Sequence, residues 1–412
     1  MNILFLSHYF PPEANAPAVR TYEHCREWVK SGHEVHVVTC VPNHPKGTPF
    51  PGYRCSIRRQ YECIDGINVH RVWTYLAPNS GRVRRTLSYI SYMSSAVLAC
   101  ARLVRPDIVV ATSPQFFCAC AGLLVSKVMR CPWVFELRDL WPESIAALGA
   151  VRSTRALDIL RALELYLYGD AAAIVALTCA FRDTLITRHG VPGAKVRVVT
   201  NGVDLDEWAQ IDRTHARNVL GVDSMFVVSY VGTHGMAHKL ETLLEAANLL
   251  RGDATVRFVM VGDGAERERL LCMKEEMGLR NVTMQGQVDR DRARLYVAAS
   301  DVCVIPLRKA EVFRTVIPSK VFEAMAARVP IVLGVEGEAK RIVEESRAGL
   351  CVEPENARGF ADAILRLKTD ERLRRSLGEN GCAAVRARFD RRVLAAKMLD
   401  VMEQTVSGWG RR

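Results

Sequence analysis

The chain alternates short apolar runs with amphipathic stretches along most of its 412 residues. Each apolar run has the length of a buried strand, and the stretches between them carry apolar residues at helical spacing, as in Leu240–Leu250. Strand, helix and strand in succession produce parallel sheets that are covered by helices on both faces. The alternation therefore predicts an α/β protein.

The composition is that of an ordinary globular protein, with 49% hydrophobic and 25% charged residues. It excludes a disordered chain, a collagen-like repeat and a small disulfide scaffold. Since domains contain roughly 100–200 residues, the length predicts two or three domains, each able to bury a core. The 13 cysteines form no CxxC pair and no zinc-type array. We interpret them as buried free thiols in a reducing, cytoplasmic compartment, and the strand-like start at Met1–Leu6 predicts no secretory signal.

Thirteen apolar runs are predicted as strands. In the first half they are Ile3–Leu6, Glu34–Val38, Asn68–Val72, Ile108–Thr112, Trp133–Glu136, Ala173–Leu177 and Val196–Val199. In the second half they are Phe226–Val231, Val256–Val261, Val282–Met284, Val302–Ile305, Ile331–Leu333 and Leu350–Val352. The Asn201–Gly202 dipeptide between the halves is a strong turn signal. We predict two Rossmann-like domains, residues 1–200 and 201–380. Residues 381–412 are predicted as a C-terminal helix, from Gly381 to Val406, that packs back on the N-terminal domain.

Two parallel sheets in one chain place a central cleft between two rows of strand ends. Ligands of such sheets bind at the carboxyl ends of the strands. We therefore expect the functional residues in the loops that follow the strands. The loop after the first strand, Ser7–Pro17, contains no glycine, which argues against a dinucleotide in the first domain, and the chain has no P-loop.

Glycines follow two strands of the second domain. Gly232 lies in a strand-to-helix loop, where bare backbone and helix amides can approach an anion, and Lys239 adds a positive charge. An ordinary turn with a solvated lysine fits the same residues. Gly262 and Gly264 follow the next strand, but Arg267 occupies the place of the third glycine in the dinucleotide fingerprint.

The segment Pro318–Ala327 is the most informative stretch of the chain. Ser319 is a suitable N-cap, and Lys320 and Glu323 share one face of the helix that follows. A carboxylate one turn into the helix can accept two sugar hydroxyls, while amides above it hold a phosphate. Arg314 lies just upstream. A capping glutamate beside a solvated lysine is the alternative interpretation.

The order and spacing of these motifs resemble the family 4 retaining glycosyltransferases, whose GT-B fold has two Rossmann-like domains. The resemblance spans essentially the whole chain. It rests on Asn201–Asp204, Val231–Gly232 with Lys239, Val261–Gly264, Asn281–Val288, Ala299–Pro306 and Pro318–Ala327. In the first domain, Tyr9–Arg20 and Glu136–Glu143 resemble the bacterial branch that builds O-antigen, colanic acid and capsule repeat units. That branch includes N-acetyl-L-fucosamine transferases and acts on lipid-diphosphate-linked acceptors at the inner membrane.

The resemblance implies a role for individual residues. Glu323 matches the glutamate that binds the nucleotide ribose, Lys239 matches the phosphate lysine, and Gly232 matches the first loop glycine. Gly262, Gly264 and Val288 fall in the nucleotide loops. Three positions depart from the family pattern: Thr315 replaces the first glutamate of the pair, Thr233 replaces a phosphate-binding arginine and Arg328 replaces a glycine. The first departure puts the donor sugar in doubt more than the class of reaction.

A metal-free mechanism follows from the resemblance. Lys239, Arg314 and Lys320, with the helix start at Ser319, would offset the charge that develops on a leaving diphosphate. We therefore expect neither a metal nor another cofactor. Two Asp-x-Asp matches, Asp204–Asp206 and Asp289–Asp291, fit a turn and a helix start equally well.

Three residues of the first domain are candidates near the acceptor. Asp139 follows the predicted strand Trp133–Glu136, and we expect it to orient the acceptor hydroxyl or sugar; a helix cap is the alternative. Glu13 and Arg20 flank the first loop, and we interpret them as a second catalytic candidate and an acceptor contact. For Arg20, a surface helix charge is the alternative.

The first domain is strongly basic. The net charge of the chain is +11, and Val35 to Pro106 holds ten basic residues against Glu62 and Asp65. Arg82, Arg84 and Arg85 precede an apolar stretch that is too short to span a membrane. We interpret it as an amphipathic helix on an anionic lipid face, whereas a core helix with solvated arginines fits equally well.

The resemblance and the motifs that carry it predict a glycosyltransferase. We expect it to move a sugar from a UDP-sugar to a lipid-linked saccharide during surface polysaccharide biosynthesis. The expected location is cytoplasmic, peripheral on the inner membrane, with no nucleic-acid partner. A non-hydrolysing UDP-sugar epimerase of the same fold is one alternative. A basic protein that only binds membrane surfaces is another.

Overall fold

The computed structural model describes residues 1–13, 15–44, 46–77, 82–140 and 154–410. Two compact units divide the chain. The first runs from Met1 to Thr200 and takes up the C-terminal segment from Arg392 onward, and the second is Asn201–Arg391.

The first unit contains eight strands among its described residues. They are β1 (Asn2–Leu6), β2 (Glu34–Cys40), β3 (Gln60–Ile64), β4 (Ile67–Val72), β5 (Ile108–Thr112), β6 (Trp133–Leu137), β7 (Ala173–Ala176) and β8 (Val196–Val198). Its helices are α1 (Ala16–Lys30), α2 (Arg82–Cys100), α3 (Phe116–Met129), α4 (Thr154–Asp170) and α5 (Cys179–Thr187). The sheet order is β3-β4-β2-β1-β5-β6-β7-β8.

All strand pairs of this sheet are parallel except β3 with β4. The direction of winding changes between β1 and β5, so the loops after these strands diverge and leave a crevice at their carboxyl ends. β3 is absent from the predicted strands. It is an edge strand with alternating half-buried and exposed residues, so it lacks the continuous apolar run of the central strands.

The second unit contains six strands, β9 (Phe226–Val231), β10 (Val256–Val261), β11 (Val282–Gln285), β12 (Val302–Pro306), β13 (Ile331–Gly334) and β14 (Gly349–Cys351). Its helices are α6 (Asp206–Ala209), α7 (Arg213–Leu220), α8 (Glu241–Leu249), α9 (Arg267–Glu276), α10 (Arg290–Ala298), α11 (Lys320–Ala326), α12 (Glu338–Glu345), α13 (Ala357–Thr369) and α14 (Glu371–Ala384). The sheet is entirely parallel in the order β11-β10-β9-β12-β13-β14, and its winding changes between β9 and β12.

The predicted single helix from Gly381 to Val406 is wrong. Gly381 lies inside α14, which ends at Ala384 and continues into a wide turn over Val385–Phe389. A separate helix, α15 (Arg391–Trp409), follows. Within the first unit, the Trp28 indole N–H donates to the Ala395 carbonyl at 2.9 Å, and Met398 is buried in the core beside α1.

Candidate functional site

In the second unit, the loops after β9 and β10 are packed directly against one another. Gly232 and Gly262 have φ values of +145° and +141°, a region that favours glycine. A Cβ on Gly262 would overlap the carbonyl oxygen of Gly232, and a Cβ on Gly264 would overlap the backbone of His234. The loop glycines therefore allow a bare backbone surface at the carboxyl ends of the two strands.

Lys320 lies on this glycine surface. A Cβ on Gly232 would collide with the Lys320 side chain, and the ammonium nitrogen is 5.3 Å from the centroid of the Tyr230 ring. Burial lowers the pKa of the Lys320 ammonium, although nearby Glu323 partly offsets this effect. Among the described residues Lys320 forms no ion pair, so its half-buried charge is available to an anionic ligand.

Glu323 follows one turn later on α11. Its half-buried side chain lines a small pocket with Lys320, Ser229 and Cys303. No donor within the described residues hydrogen-bonds to its carboxylate. The sequence placed Lys320 and Glu323 on one helical face, and the structure brings both beside β9 and β12. The ammonium of this pair suits an anionic group of a ligand, and the carboxylate suits hydroxyl donors.

The other predicted cations already have partners. The Lys239 ammonium is 3.5 Å from the Glu241 carboxylate, and the residue has φ +47° at the end of a short 3₁₀ turn. Arg314 is half-exposed and pairs with Glu311 at 3.2 Å, with Glu336 at 3.9 Å. Both residues are on loops of this unit, but neither has the unpaired charge found at Lys320.

Three further predicted positions contribute less directly. Ser319 occupies the N-cap position of α11, as predicted, but its side chain makes no capping hydrogen bond. Because α11 has only seven residues, its amides form a weak anion site at best. The Thr315 hydroxyl donates to the Val312 carbonyl at 3.1 Å. Val288 is half-buried and packs against the apolar cluster that contains Val259.

Two histidines beside Lys320 are absent from the predicted site. His234 is buried, and neither of its ring nitrogens has a hydrogen-bond partner among the described residues. Burial, with Arg267 and Lys320 nearby, lowers the pKa of His234. Burial and Lys320 lower the pKa of His238 to about 4. Both rings are therefore neutral at pH 7. Their position in the loop after β9, between Gly232 and Lys239, is the sequence signal that could have identified them.

In the first unit, Glu13 follows β1, and its buried carboxylate is bound by backbone of the loop after β2. One carboxylate oxygen accepts the backbone N–H groups of Asn43 at 2.9 Å and His44 at 2.8 Å. Burial raises the pKa of Glu13, against the opposing effect of these hydrogen bonds and of Arg71. Glu13 thus joins the loops after β1 and β2, and its catalytic role stays a prediction.

Asp139 is half-buried two residues beyond the end of β6. β6 lies beside β5 in the sheet, so Asp139 belongs to the same row of strand ends as the loop after β1. The backbone N–H of neighbouring Arg138 donates to the Ser113 hydroxyl at 2.7 Å, which fixes this loop to the end of β5. The residues that Asp139 was predicted to cap as a helix continue into 141–153, which lie outside the described residues.

Arg20 is neither an acceptor contact nor a surface charge. Its side chain is 1% exposed and donates to the Glu136 carboxylate at 2.9 Å. It also donates to the carbonyl groups of Thr200 at 2.7 Å and Val199 at 3.1 Å. Burial alone would raise the pKa of Glu136, but the charges of Arg20 and Arg138 outweigh it and lower the pKa. Arg20 therefore ties α1 to β6 and to the end of the first unit.

The basic residues of α2 fall within the helix, which begins at Arg82 instead of after the arginines. Arg84 and Arg85 are exposed, and Arg85 donates to the Tyr89 hydroxyl at 3.1 Å. The opposite face of α2 packs into the core through Tyr92 and Ala96. The inner face of α2 thus packs into the core, as the core-helix alternative expects, and contact of its basic outer face with lipid stays a prediction. Within the described ranges, every helix is too short or too polar to span a bilayer.

The two Asp-x-Asp segments form local turns. Asp204 accepts the backbone N–H of Asp206 at 3.0 Å, and Asp289 caps α10 through the N–H of Arg292 at 2.7 Å. Asp291 pairs with Arg294. Across the described ranges, no group of three or more acidic, histidine or cysteine side chains is arranged to hold a metal ion.

A titratable ring at the end of β1 makes the first unit sensitive to acid. His8 is enclosed by Tyr9, Tyr89 and Tyr92, with ring centroids 5.0–5.2 Å apart. Burial, together with His44, lowers the pKa of His8 to about 3. Its neutral form is favoured in the fold, so stability is lost as pH falls from about 6.5 towards 3.

When the pH falls from 7.5 to 5, the His8 imidazole becomes protonated in the unfolded chain but not in the fold. We expect this difference to lower the free energy of unfolding by about 2 kcal/mol. The variant His8→Phe keeps a planar ring in the aromatic cluster and cannot titrate, so its stability should depend less on pH by that amount. Urea denaturation of both proteins at the two pH values measures the difference. Equal pH dependence in the two proteins would contradict a buried, neutral His8.

The two parallel-sheet α/β units define the class of the protein. Its fold matches GT-B glycosyltransferases of known structure. Sucrose-phosphate synthase from Thermosynechococcus elongatus has a TM-score of 0.75 and 20% identity, with 99% of each chain covered. Anabaena HepE, solved in complex with UDP and glucose, has a TM-score of 0.71 and 18% identity, covering 98% of this chain and 99% of that one. The predicted fold class is confirmed.

Two glycosyltransferase family models match the chain, one in each half. The family model described as Glycosyltransferase Family 4 matches residues 18–207, and the model described as Glycosyl transferases group 1 matches residues 212–383. A relative named for colanic acid biosynthesis, the glycosyl transferase WcaI of Escherichia coli K12, is 24% identical over 376 residues, 88% of this chain and 91% of that protein. The chain is therefore an enzyme, a glycosyltransferase with relatives in polysaccharide biosynthesis.

Proposed function

We propose that this enzyme transfers a sugar from a UDP-sugar to a lipid-linked saccharide, with retention of the anomeric configuration, during assembly of a surface polysaccharide. The observation that carries the proposal is the unpaired Lys320 ammonium lying on the bare backbone of Gly232, with the Glu323 carboxylate one turn away. UDP is favoured because HepE, which shares the fold, was solved with UDP. A role in polysaccharide assembly is favoured by the relative named for colanic acid biosynthesis, and the lipid-linked acceptor is what the resemblance of Tyr9–Arg20 and Glu136–Glu143 implies.

The donor would bind with its diphosphate against the glycine surface and its ribose on Glu323. A carboxylate without a protein donor is suited to accept two vicinal hydroxyls. The neutral rings of His234 and His238 would add hydrogen-bonding groups beside the same phosphates without adding charge. We propose an N-acetylfucosamine-like sugar as the candidate for the transferred group. The family pattern does not fix this sugar, because Thr315 stands where the family places a glutamate.

The reaction needs a stabilised leaving group. As the bond between the anomeric carbon and the phosphate oxygen breaks, the acceptor oxygen bonds to that carbon on the same face. The acceptor proton passes to the departing phosphate oxygen. Lys320 would offset the developing charge from a fixed position, which is the most effective form of electrostatic catalysis. We propose that no metal takes part, and expect full activity in EDTA.

A screen of nucleotides tests the donor proposal. A ligand that binds only the native state raises the melting temperature. At a concentration 100 times its dissociation constant, it adds about 2.7 kcal/mol to the free energy of unfolding. We expect UDP and UDP-sugars to raise the melting temperature more than ADP, GDP or CMP at equal concentration. The absence of a shift with every nucleotide would contradict the proposal. Formation of an epimer from the donor alone would favour the epimerase alternative.

For the acceptor, we propose that Asp139 orients the attacking hydroxyl. The variant Asp139→Asn should keep its nucleotide-induced thermal shift but lose turnover by about tenfold, the effect of one charge-assisted hydrogen bond. Steady-state kinetics with a lipid-linked acceptor in detergent measures the loss. Asp183→Asn, at an exposed carboxylate on α5 paired with Arg182, is the matched control. Unchanged turnover in Asp139→Asn would remove this residue from the site.

A further inference from the structure

We propose that a cavity between α15 and the edge strand β8 of the first unit is a second binding site, for a phosphate monoester that carries a ring. A nucleotide and a sugar phosphate both have this chemistry. The cavity has a volume of about 280 Å³ and lies wholly within the first unit, at the amino ends of β7 and β8. The candidate acceptor residues follow the opposite, carboxyl ends of strands in this sheet, so the cavity is a separate site.

The inner face of α15 changes its character along the helix. Residues three or four positions apart share one face of a helix. From Leu394 to Met402 the buried side chains of this face are apolar and pack in the core. Beyond them the positions that line the cavity include Gln404, Thr405 and Gly408. A Cβ added to Gly408 would meet no heavy atom within 4 Å, so the helix leaves open space here in place of a core side chain.

Arg197 on β8 presents a binding edge for an anion. Successive side chains of a strand point to opposite faces, and Val196 belongs to the core of the far face, so Arg197 lies on the face that α15 covers. Its Nη1 donates to the carbonyl oxygens of Ala194 at 2.7 Å and Val196 at 3.3 Å, which fixes the guanidinium plane. Within the described residues, Nε and Nη2 of this exposed side chain have no partner. These two groups form the fork that binds two oxygens of a phosphate.

A second cation lies in the same wall. Lys195 is half-buried and immediately precedes β8. Its ammonium donates to the carbonyl oxygens of Tyr168 and Gly169 at 2.6 Å each, and these acceptors hold it in place. The lining residues that the structure describes include no Asp or Glu. Two cations without an acid in one wall favour an anionic occupant.

Another wall of the cavity is aromatic. Trp409, the last residue of α15, is 40% exposed, and no described residue stacks on its ring or accepts its indole N–H. An exposed indole stacks on flat bases, and its apolar surface also suits the C–H face of a sugar ring. On the preceding turn, the Thr405 hydroxyl donates to the Val401 carbonyl at 2.6 Å and can still accept a hydrogen bond from a ligand.

Size and polarity together favour a ring that carries a phosphate. Ligand cavities usually have volumes of about 300–1,000 Å³, so this cavity suits a compound of one or two rings. An inorganic anion alone would leave the indole uncovered, and an uncharged ring would leave the cations without a ligand. A phosphate monoester of a nucleoside or of a sugar satisfies both walls.

Isothermal titration calorimetry of the full chain with UMP, glucose 1-phosphate and inorganic phosphate tests the site. We expect both esters to bind more tightly than inorganic phosphate. Arg197→Gln should weaken all three by at least about tenfold, because it removes charge-assisted hydrogen bonds. Trp409→Ala should weaken the esters by about tenfold through lost stacking and leave the affinity for inorganic phosphate unchanged.

A third variant fills the cavity. Gly408→Leu places a side chain in the open space beside α15 and replaces glycine with a better helix former, so the melting temperature should not fall. Binding of all three probes at the cavity should be lost. This variant tests the site even if the substitutions at Arg197 and Trp409 disturb the local structure.

Matched controls lie in the same unit, outside the cavity. Arg105→Gln changes an exposed arginine that also donates to a backbone carbonyl, that of Arg130, and Trp73→Ala removes an indole that is 38% exposed. Both controls should bind the probes as the wild type does. Preferential binding of UMP or of glucose 1-phosphate supports the site and identifies whether it recognises a base or a sugar.

Three outcomes would overturn the inference. They are no binding of either ester to the wild-type chain, equal affinity for inorganic phosphate and both esters, and cavity variants that bind like the controls.

The response to UDP separates this inference from the proposed function. UMP can also occupy the candidate active site, so only binding that depends on Arg197 is assigned to the cavity. All cavity variants should keep the melting shift produced by UDP, because their substitutions lie outside the nucleotide site of the second unit. Ester binding that depends on Lys320 and not on Arg197 would overturn the inference. Ester binding that Arg197→Gln removes, in a chain without any UDP shift, would support the cavity and contradict the proposed function.

Discussion

Replacing Lys320 with methionine is expected to lower the turnover of sugar transfer by roughly 10²–10³, the usual effect of removing one preorganised charge from a transition state. The ammonium is half-buried, unpaired among the described residues and pressed against Gly232, so its loss leaves a leaving diphosphate without a fixed cation. Methionine keeps an unbranched side chain over the Tyr230 ring, so the fold should be retained. Initial rates and calorimetric titration with UDP measure the two effects separately.

Two lysines serve as comparisons for this experiment. Lys340→Met removes an exposed ammonium on α12 that is 3.8 Å from Glu344, and turnover should not change. Lys239→Met should have an intermediate effect, because Glu241 already shares the charge of Lys239. If Lys320→Met stayed within about threefold of the wild-type turnover, Lys320 would not be the group that stabilises the leaving phosphate.

The substitution Arg20→Met is expected to reduce the free energy of unfolding of the first unit by about 3–5 kcal/mol. It leaves the Glu136 carboxylate buried without its cation and leaves the carbonyl groups of Val199 and Thr200 without a donor. Urea denaturation followed by tryptophan fluorescence measures the loss, since Trp28 and Trp133 are both buried in this unit.

A double variant separates the two causes. Arg20→Met with Glu136→Leu removes both charges together, and much of the lost stability should return. Arg182→Met breaks an exposed pair with Asp183 and should cost less than about 1 kcal/mol. A double variant as unstable as the single one would show that the carbonyl contacts, not the ion pair, carry the stability.

Most of the secondary structure could be predicted from the sequence because central strands of parallel sheets are continuous apolar runs. β5 and β9 illustrate this, since every residue of β5 and all but the last of β9 are buried. β3 could not be predicted in this way, because an edge strand with one exposed face carries polar and apolar residues together. The division of the C-terminal segment into α14 and α15 was missed because apolar spacing continues through the turn at Val385–Phe389.

For the site, spacing within one helix was enough to pair Lys320 with Glu323. It could not rank Lys320 above Lys239 or Arg314, because that ranking depends on which acidic side chains come close from other parts of the fold. The same limit explains Glu13 and Arg20. Both are charged residues near a loop in the sequence, and only their long-range partners, Asn43 with His44 and Glu136, show that they hold the structure together.

By itself, then, the order of apolar runs and turn residues determined two parallel-sheet α/β halves, and the resemblance of its motifs to a known family indicated a sugar-transferring enzyme. These properties depend on local periodicity and on motifs a few residues long, and both can be recognised in the sequence alone. The tertiary structure alone decided which charges are paired and which are buried. Pairing and burial depend on groups that are distant in the sequence and come together only on folding. Arg20 and Glu136, which are 116 residues apart, are an example.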